Sequence, residues 1–154
     1  MPRGDMLEDV KTSVLNLEWK RREGGVGRTL RDYLDFVVDG EILSEIIDSD
    51  SVDLVSCLGW FAPDENAKAV RRLLLEEPAD FPNDRRSFYV CPECGDLGCG
   101  AISAVIEQTE DKVIWRNFGY ENNYLDEVNL DGYKNLNPIV FDKVKYEEVI
   151  KSAL

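Results

Sequence analysis

The chain has 154 residues, of which 44% are hydrophobic and 32% charged, and its 31 acidic residues outnumber 18 basic ones. The hydrophobic share excludes an intrinsically disordered chain, and the length predicts a single domain over residues 1–154 with its own hydrophobic core. The net charge of −13 disfavours binding to nucleic acid or to an anionic membrane surface, because both would repel it. High acidity can serve solubility alone, but it would also attract a basic protein partner.

The start of the chain and the cysteines bear on its location. Residues 1–5 hold no apolar signal region, and no stretch approaches the roughly 18 apolar residues of a membrane span. We therefore expect a cytoplasmic protein whose four cysteines are reduced thiols. Histidine is absent, which removes the commonest metal ligand and the side chain best suited to proton transfer near neutral pH.

The first third of the chain predicts two strands and a short helix. Leu15, Leu17 and Trp19 alternate with polar residues, which is the period of a half-buried strand. Asp39-Gly40 is a strong signal for a tight turn between strands. Strands are predicted at residues 15–19 and 33–38, and a short helix at residues 43–47. A glycine-rich loop is predicted at residues 24–27, and the turn at residues 39–40.

The rest of the chain predicts two helices around a meander. Residues 63–76 form the clearest helix, because Pro63 suits a first turn and Pro78 enforces a stop. Asp142 is expected to cap a final helix whose apolar residues recur at helical spacing. Three antiparallel strands are predicted between these helices, at residues 87–91, 101–106 and 113–118. We therefore predict a single α+β domain with an antiparallel β-meander flanked by helices, including a C-terminal helix.

The cysteines near the middle of the chain could bind a metal or carry redox chemistry. The segment CPECG at residues 91–95 has the shape of one half of a zinc knuckle. Structural zinc needs four ligands, and Cys99 and the distant Cys57 would have to complete the set. A redox site would need the cysteine pair to open a helix, which the three glycines of residues 95–100 oppose. Reduced thiols in a glycine-rich connection are the simplest interpretation, so we expect no metal and no cofactor.

Other catalytic motifs are incomplete. The segment GGVG at residues 24–27 lacks the third glycine of a dinucleotide-binding loop, because Leu30 stands at that position. The chain has no G-x-S-x-G motif, and its many acids form carboxylate pairs without marking any one pair as catalytic. We therefore expect a binding protein rather than an enzyme.

Two long stretches carry acids but no bases. The first runs between Arg31 and Lys68 and contains Asp32, Asp35, Asp39, Glu41, Glu45, Asp48, Asp50, Asp53, Asp64 and Glu65. The second covers residues 117–133 and contains Glu121, Asp126, Glu127 and Asp131 among Tyr120, Tyr124 and Tyr133. Acids mixed with tyrosines are typical of a protein-binding surface, although a solvated loop would have the same composition.

Two segments of the chain resemble small bacterial proteins that are often labelled "oxidoreductase". They are YVCPECGDLGCGA at residues 89–101 and VIWRNFGYEN at residues 113–122, and the resemblance extends over about residues 52–150. It implies no established active site. In size, acidity and lack of catalytic motifs the chain also resembles immunity proteins of contact-dependent inhibition and other polymorphic toxin systems, which implies a cognate toxin as partner.

The favoured hypothesis is an immunity protein that neutralises a basic toxin, a nuclease in particular, by blocking its active site. The residues expected to contact the toxin are Tyr120, Glu121, Tyr124, Asp126 and Glu127, with Asp35, Asp39 and Glu41 as a second acidic patch. The alternative is a small metal-binding or redox protein built on Cys91, Cys94 and Cys99.

Overall fold

Strand pairing organises the protein into two antiparallel sheets. The computed structural model describes residues 11–48, 53–93, 100–121 and 136–154. The first sheet contains, in order, β1 (Leu15–Arg22), β2 (Arg31–Val38) and β3 (Glu41–Ile42). The second contains, also in order, β4 (Val55–Ser56), β5 (Arg85–Val90), β6 (Ala101–Gln108), β7 (Lys112–Glu121) and β8 (Ile139–Asp142).

The first sheet follows from sequence alternation and turn chemistry. Leu15 and Val38 pair across β1 and β2 and are buried, whereas Trp19, further along the same face, is 61% exposed. Asp39 and Gly40 join β2 to β3 with φ angles of 53° and 82°, the two positive values that a type I′ turn needs. The two predicted strands and the predicted turn are confirmed.

The central meander is confirmed and is longer than predicted. β5, β6 and β7 are consecutive antiparallel neighbours, and the N–H of Thr109 donates to the carbonyl of Lys112 (2.9 Å) in the turn between the last two. β4 and β8 extend the meander at its two edges and have no counterpart among the predicted elements. Strands of two and four residues are too short to show a periodic pattern.

Three helices accompany the sheets among the described residues, namely α1 (Leu43–Ile46), α2 (Pro63–Leu73) and α3 (Lys143–Lys151). The side chain of Asp142 accepts a hydrogen bond from the N–H of Lys145 (3.1 Å), so the predicted cap of the C-terminal helix is confirmed. α2 begins at Pro63 as predicted but ends before the predicted boundary at residue 76.

The early end of α2 is a local backbone effect. Leu75 has a φ angle of 64°, and the N–H of Glu76 donates to the carbonyl of Arg71 (2.8 Å). This combination is the Schellman motif, in which a left-handed residue reverses the chain and satisfies the last carbonyls of the helix. The helix therefore ends before it reaches Pro78, and Pro78 is not the residue that ends it.

An aromatic cluster unites the sheets in one core. The ring of Trp115 makes edge-on contacts with Phe36, Phe88, Phe141 and Tyr146, at centroid distances of 5.5, 4.7, 4.7 and 5.9 Å. Each of these five rings is at most 2% exposed. Phe36 comes from the first sheet and the others from the second sheet and α3, so burial of their apolar area stabilises the whole arrangement.

Two backbone hydrogen bonds close the sheets onto each other. The N–H of Ser13, before β1, donates to the carbonyl of Val140 in β8 (2.6 Å). The N–H of Leu34 in β2 donates to the carbonyl of Leu58, just after β4 (3.0 Å). Because β4 and β8 are the two edges of the second sheet, the first sheet spans the gap between them and the strands form a curled half-barrel.

The predicted fold class, a single α+β domain with a β-meander and a C-terminal helix, is confirmed. Its extent over residues 1–154 stays a prediction. Within the described ranges, no helix combines the length and the apolar character needed to cross a bilayer.

Replacing Gly100 with alanine should destabilise the fold by about 1–3 kcal/mol, because the site has neither the backbone conformation nor the space for a side chain. Gly100 has a φ angle of 105°, and a Cβ there would lie 2.9 Å from Cζ of Tyr120 and clash with its hydroxyl. The free energy of unfolding in urea measures the loss. Gly25→Ala is the control, because a Cβ at Gly25 meets no atom within 4 Å. Equal losses in both variants would contradict this account of the Gly100–Tyr120 contact.

Candidate protein-binding surface

An acidic concavity lies where β2, β3 and α1 meet. The tight turn carries Asp39, and β3 and the short helix carry Glu41, Glu45 and Ile46; all four residues are exposed. A cavity of about 450 Å³ is lined here by residues 40–42, 45 and 46. Ile46 is 42% exposed, although an isoleucine is ordinarily buried. We call these four residues the acidic notch.

Local contacts keep the notch negatively charged. The N–H of Val14 donates to Oδ1 of Asp39 (2.8 Å), and this bond holds the pKa of Asp39 below its ordinary value. Glu41 makes no ion pair with any residue that the structure describes, and Glu45 has only Lys20, whose Nζ lies 3.9 Å from its Oε2. The same ammonium is also 3.9 Å from Asp35, so one cation is shared between two carboxylates.

A second concavity surrounds Trp19 on the other face of the hairpin. It has a volume of about 580 Å³. Its apolar lining comes from β1, β2, α2 and the segments that follow β4 and α3. The apolar residues that line it are Leu17, Trp19, Leu34, Phe61, Ala67 and Leu154. We call these six residues the Trp19 groove. The ring of Trp19 lies over Gly59, where a Cβ would come within 3.1 Å of its Cζ3.

Asp35 and Glu121 lie in the interior, contrary to the predicted surface role. Asp35 is fully buried, and burial raises its pKa. Its Oδ1 accepts hydrogen bonds from the hydroxyl of Tyr89 (2.6 Å) and the N–H of Phe36 (2.8 Å), and its Oδ2 accepts one from the Ser44 hydroxyl. An acid held by these partners is a structural group, because a docking protein could reach it only by opening the core.

Glu121 is 6% exposed and neutralises a buried arginine. Its Oε2 lies 3.1 Å from Nε of Arg85 and accepts a hydrogen bond from the Ser103 hydroxyl. Arg85 also donates to the carbonyls of Ser103 (2.9 Å) and Asn117 (2.5 Å). The ion pair therefore ties β5, β6 and β7 together and does not contribute to the exposed acidic surface.

The other predicted contact residues divide into three groups. Asp39 and Glu41 are exposed and belong to the acidic notch. Tyr120 is half-buried, and its ring covers Gly100 and packs against the core. The remaining three, Tyr124, Asp126 and Glu127, lie outside the described residues.

Sequence reasoning overlooked Glu45 and Ile46 of the notch and all six residues of the Trp19 groove. Glu45 lies in the first base-free stretch and could have been chosen on that ground. Ile46 and Trp19 carry no such signal, because an apolar residue at a periodic position is normally assigned to the core. Only the packing of the elements leaves them exposed.

The cysteines do not gather into a metal site among the described residues, which include no cluster of three or more candidate ligands. Cys57 is buried, and desolvation raises the pKa of its thiol to about 12. A metal ligand must be a thiolate, so this burial opposes the predicted use of Cys57 as a fourth ligand. Cys91 is half-buried, and Cys94 and Cys99 lie outside the described residues.

The turn that begins at Cys91 is fixed by its neighbours. The carboxylate of Glu93 accepts hydrogen bonds from the hydroxyl (2.6 Å) and N–H (3.0 Å) of Thr29 and pairs with Arg22 (2.7 Å). Nε of Arg31 donates to the carbonyl of Pro92 (2.7 Å). The bonds from Thr29, followed by the one from Arg22, lower the pKa of Glu93 from 4.5 to about 2.

Comparisons of the chain with protein-family models, curated proteins and solved structures gave no match. The fold and the two concavities therefore define a class only in structural terms, as an α+β protein that carries an acidic notch and an apolar groove.

Glu121→Ala should cost about 3–5 kcal/mol of folding free energy, because it leaves the Arg85 guanidinium buried without its countercharge. Urea denaturation gives the value. Glu107→Ala is the matched control, since its carboxylate pairs with Arg116 on the surface and both side chains are more than 40% exposed. This control should lose about 0–1 kcal/mol. Similar small losses in both variants would show that Glu121 is not a buried structural partner.

Glu93→Gln should lower the midpoint temperature of unfolding at pH 7, and the gap to the wild-type protein should close in acid. The pKa of Glu93 is lower in the folded protein, so its stabilising effect is complete above pH 4.5 and is lost as the pH falls through about 2. Thermal scans between pH 7 and pH 3 test this. Glu110→Gln, an exposed acid that has no ion pair with the described residues, should show almost no gap. A Glu93→Gln gap that stays constant down to pH 3 would refute the assignment.

Proposed function

We propose that this protein is a cytoplasmic immunity protein that binds a cognate toxin with a basic surface and blocks its active site. The observation that carries the proposal is the acidic notch, in which three exposed carboxylates accompany an exposed isoleucine and only that of Glu45 forms an ion pair with a described residue, Lys20. A basic nuclease is the toxin class that suits this surface best, because a cleft that binds phosphates is positively charged.

Electrostatic attraction would raise the association rate of such a complex and would orient the two proteins. The net charge of −13 attracts a cationic protein over distances near the Debye length, and the exposed carboxylates of the notch would direct it to one face. Ile46 adds apolar area at the centre of the contact, where interface energy concentrates. Basic nucleases and their acidic protein inhibitors associate through this kind of charge complementarity.

The proposed contact set follows from exposure. It contains Asp39, Glu41 and Glu45 and leaves out the buried Asp35 and Glu121. Tyr124, Asp126 and Glu127 stay in the proposal on their sequence pattern of acids beside a tyrosine.

A cysteine-based metal-binding or redox function is the second candidate. The specific observation that favours it is the turn at Cys91, which Thr29, Arg22 and Arg31 hold through Pro92 and Glu93. Elemental analysis of the purified protein tests the metal, and thiol–disulfide exchange that disappears in Cys91→Ser tests redox activity. A stoichiometric metal would be compatible with toxin binding as well, because structural metals stabilise binding domains.

The product of the gene beside this one is the first partner to test, because immunity genes are expected next to the genes of their toxins. A triple variant with Asp39→Asn, Glu41→Gln and Glu45→Gln should associate with that protein at least about tenfold more slowly at low salt. Its association rate should also depend less on salt. Stopped-flow or surface-plasmon measurements give the rate constants.

A triple variant with the same charge change elsewhere separates the notch from net charge. Glu76→Gln, Glu110→Gln and Glu148→Gln remove three exposed acids that make no ion pairs within the described structure. This control should slow association much less. Equal effects of both triple variants would contradict the role of the notch, and a neighbouring product that does not bind at micromolar protein and low salt would end the proposal.

A further inference from the structure

The Trp19 groove has the chemical character of an anchor site. Trp19 is 61% exposed and Leu154 72% exposed, whereas tryptophan and leucine are usually buried. Both line one concavity of about 580 Å³ together with the half-buried Leu17, Leu34 and Phe61. Exposed apolar surface that is contiguous and concave marks a site of interaction, and tryptophan is among the residues that contribute most to binding energy.

The groove extends along the hairpin as far as Lys20. A second cavity of about 580 Å³ shares Trp19 and Gly59 with the groove and is further lined by Lys20, Arg21 and Asp32. The ammonium of Lys20 lies 3.9 Å from Glu45 of the notch. The groove and the notch nevertheless open on opposite faces of the hairpin, so the groove is a site of its own.

The net charge of the protein, −13, favours a cationic occupant of the groove. The two cations that line its extension are already engaged, Arg21 by Asp32 at 2.7 Å and Lys20 by its carboxylates. The acids Asp64 and Glu65 and the bases Lys68 and Lys151 are exposed next to lining residues in the sequence without lining the groove themselves. The charges immediately beside the groove are therefore balanced.

We infer that the Trp19 groove binds an apolar side chain from a positively charged segment of the partner protein, with the segment's cations attracted by the net negative charge of this protein. This inference rests on the proposed function and adds the position and chemistry of the anchor. A second copy of this chain is a poor occupant, because two molecules of charge −13 repel each other. An anionic membrane surface is repelled for the same reason.

Fluorescein-labelled synthetic peptides test the groove without the toxin. An amphipathic peptide of leucine and lysine should bind the full-length protein and shift the tryptophan emission to the blue, because Trp19 is more exposed than the half-buried Trp60 and the fully buried Trp115. A lysine–serine peptide of equal charge and a leucine–glutamate peptide should each bind at least about tenfold more weakly in fluorescence anisotropy. Equal binding of the lysine–serine peptide would overturn the apolar anchor, and equal binding of the leucine–glutamate peptide would overturn the cationic occupant.

Trp19→Ser should weaken binding of the leucine–lysine peptide by at least about tenfold. Val144→Ser is the matched control, because Val144 is 64% exposed and does not line the groove, and it should bind like the wild type. Urea midpoints verify that both variants fold. Wild-type affinity of Trp19→Ser would overturn the inference.

The neighbouring gene product separates this inference from the proposed function. If that protein binds the wild type and Trp19→Ser equally well, the groove is not the anchor and the proposed function still stands. If it does not bind at all while the leucine–lysine peptide binds in a Trp19-dependent way, the proposed toxin partner is wrong and the groove remains a site for cationic segments.

Discussion

The buried carboxylate of Asp35 is the constraint on which both concavities depend. It lies in β2 of the first sheet and accepts hydrogen bonds from Tyr89 in the second sheet and from Ser44 in α1, and it attracts Lys20 from β1. A carboxylate that is shielded from water needs such hydrogen-bond partners, and burial raises the pKa of Asp35 despite them. These contacts dock the hairpin on the second sheet and hold α1 against it. The acidic notch is formed by that helix and by the turn and strand before it, and the Trp19 groove opens on the opposite face of the same hairpin.

The distribution of cations explains why the notch stays acidic. The arginines near the end of the β1–β2 hairpin are engaged by acids, Arg22 by Asp53 and Glu93 from other segments and Arg21 by Asp32 of the neighbouring strand. The contacts of Arg22 serve the fold, since they anchor the loop at Thr29 and the turn at Cys91. Few bases are left for the region between Arg31 and Lys68, and the carboxylates of the notch therefore face solvent almost without neutralisation.

Much of the fold could be predicted because its signals are local. Alternating apolar residues, the Asp39-Gly40 turn and the Asp142 cap each act within a few residues, and each is present in the structure. The features that were not predicted depend on hydrogen bonds from residues distant in the sequence or on the backbone conformation of a single residue. β4 and β8 exist because neighbouring strands supply their hydrogen bonds, and α2 ends early because Leu75 takes a left-handed conformation. The candidate site was predicted only in part, through Asp39 and Glu41, for the same reason.

The sequence by itself determined the longer strands and the helices in chain order, the strong negative charge and the two stretches without bases. The tertiary structure alone decided which acids are structural and which are exposed. Asp35 and Asp39 are four residues apart in one base-free stretch, yet one is fully buried and the other lies on the surface. The difference arises because burial of a charge requires hydrogen-bond donors and cations from remote segments, which come together only when the sheets pack. The same packing leaves Trp19 uncovered, although Phe36 on the neighbouring strand of the hairpin is fully buried.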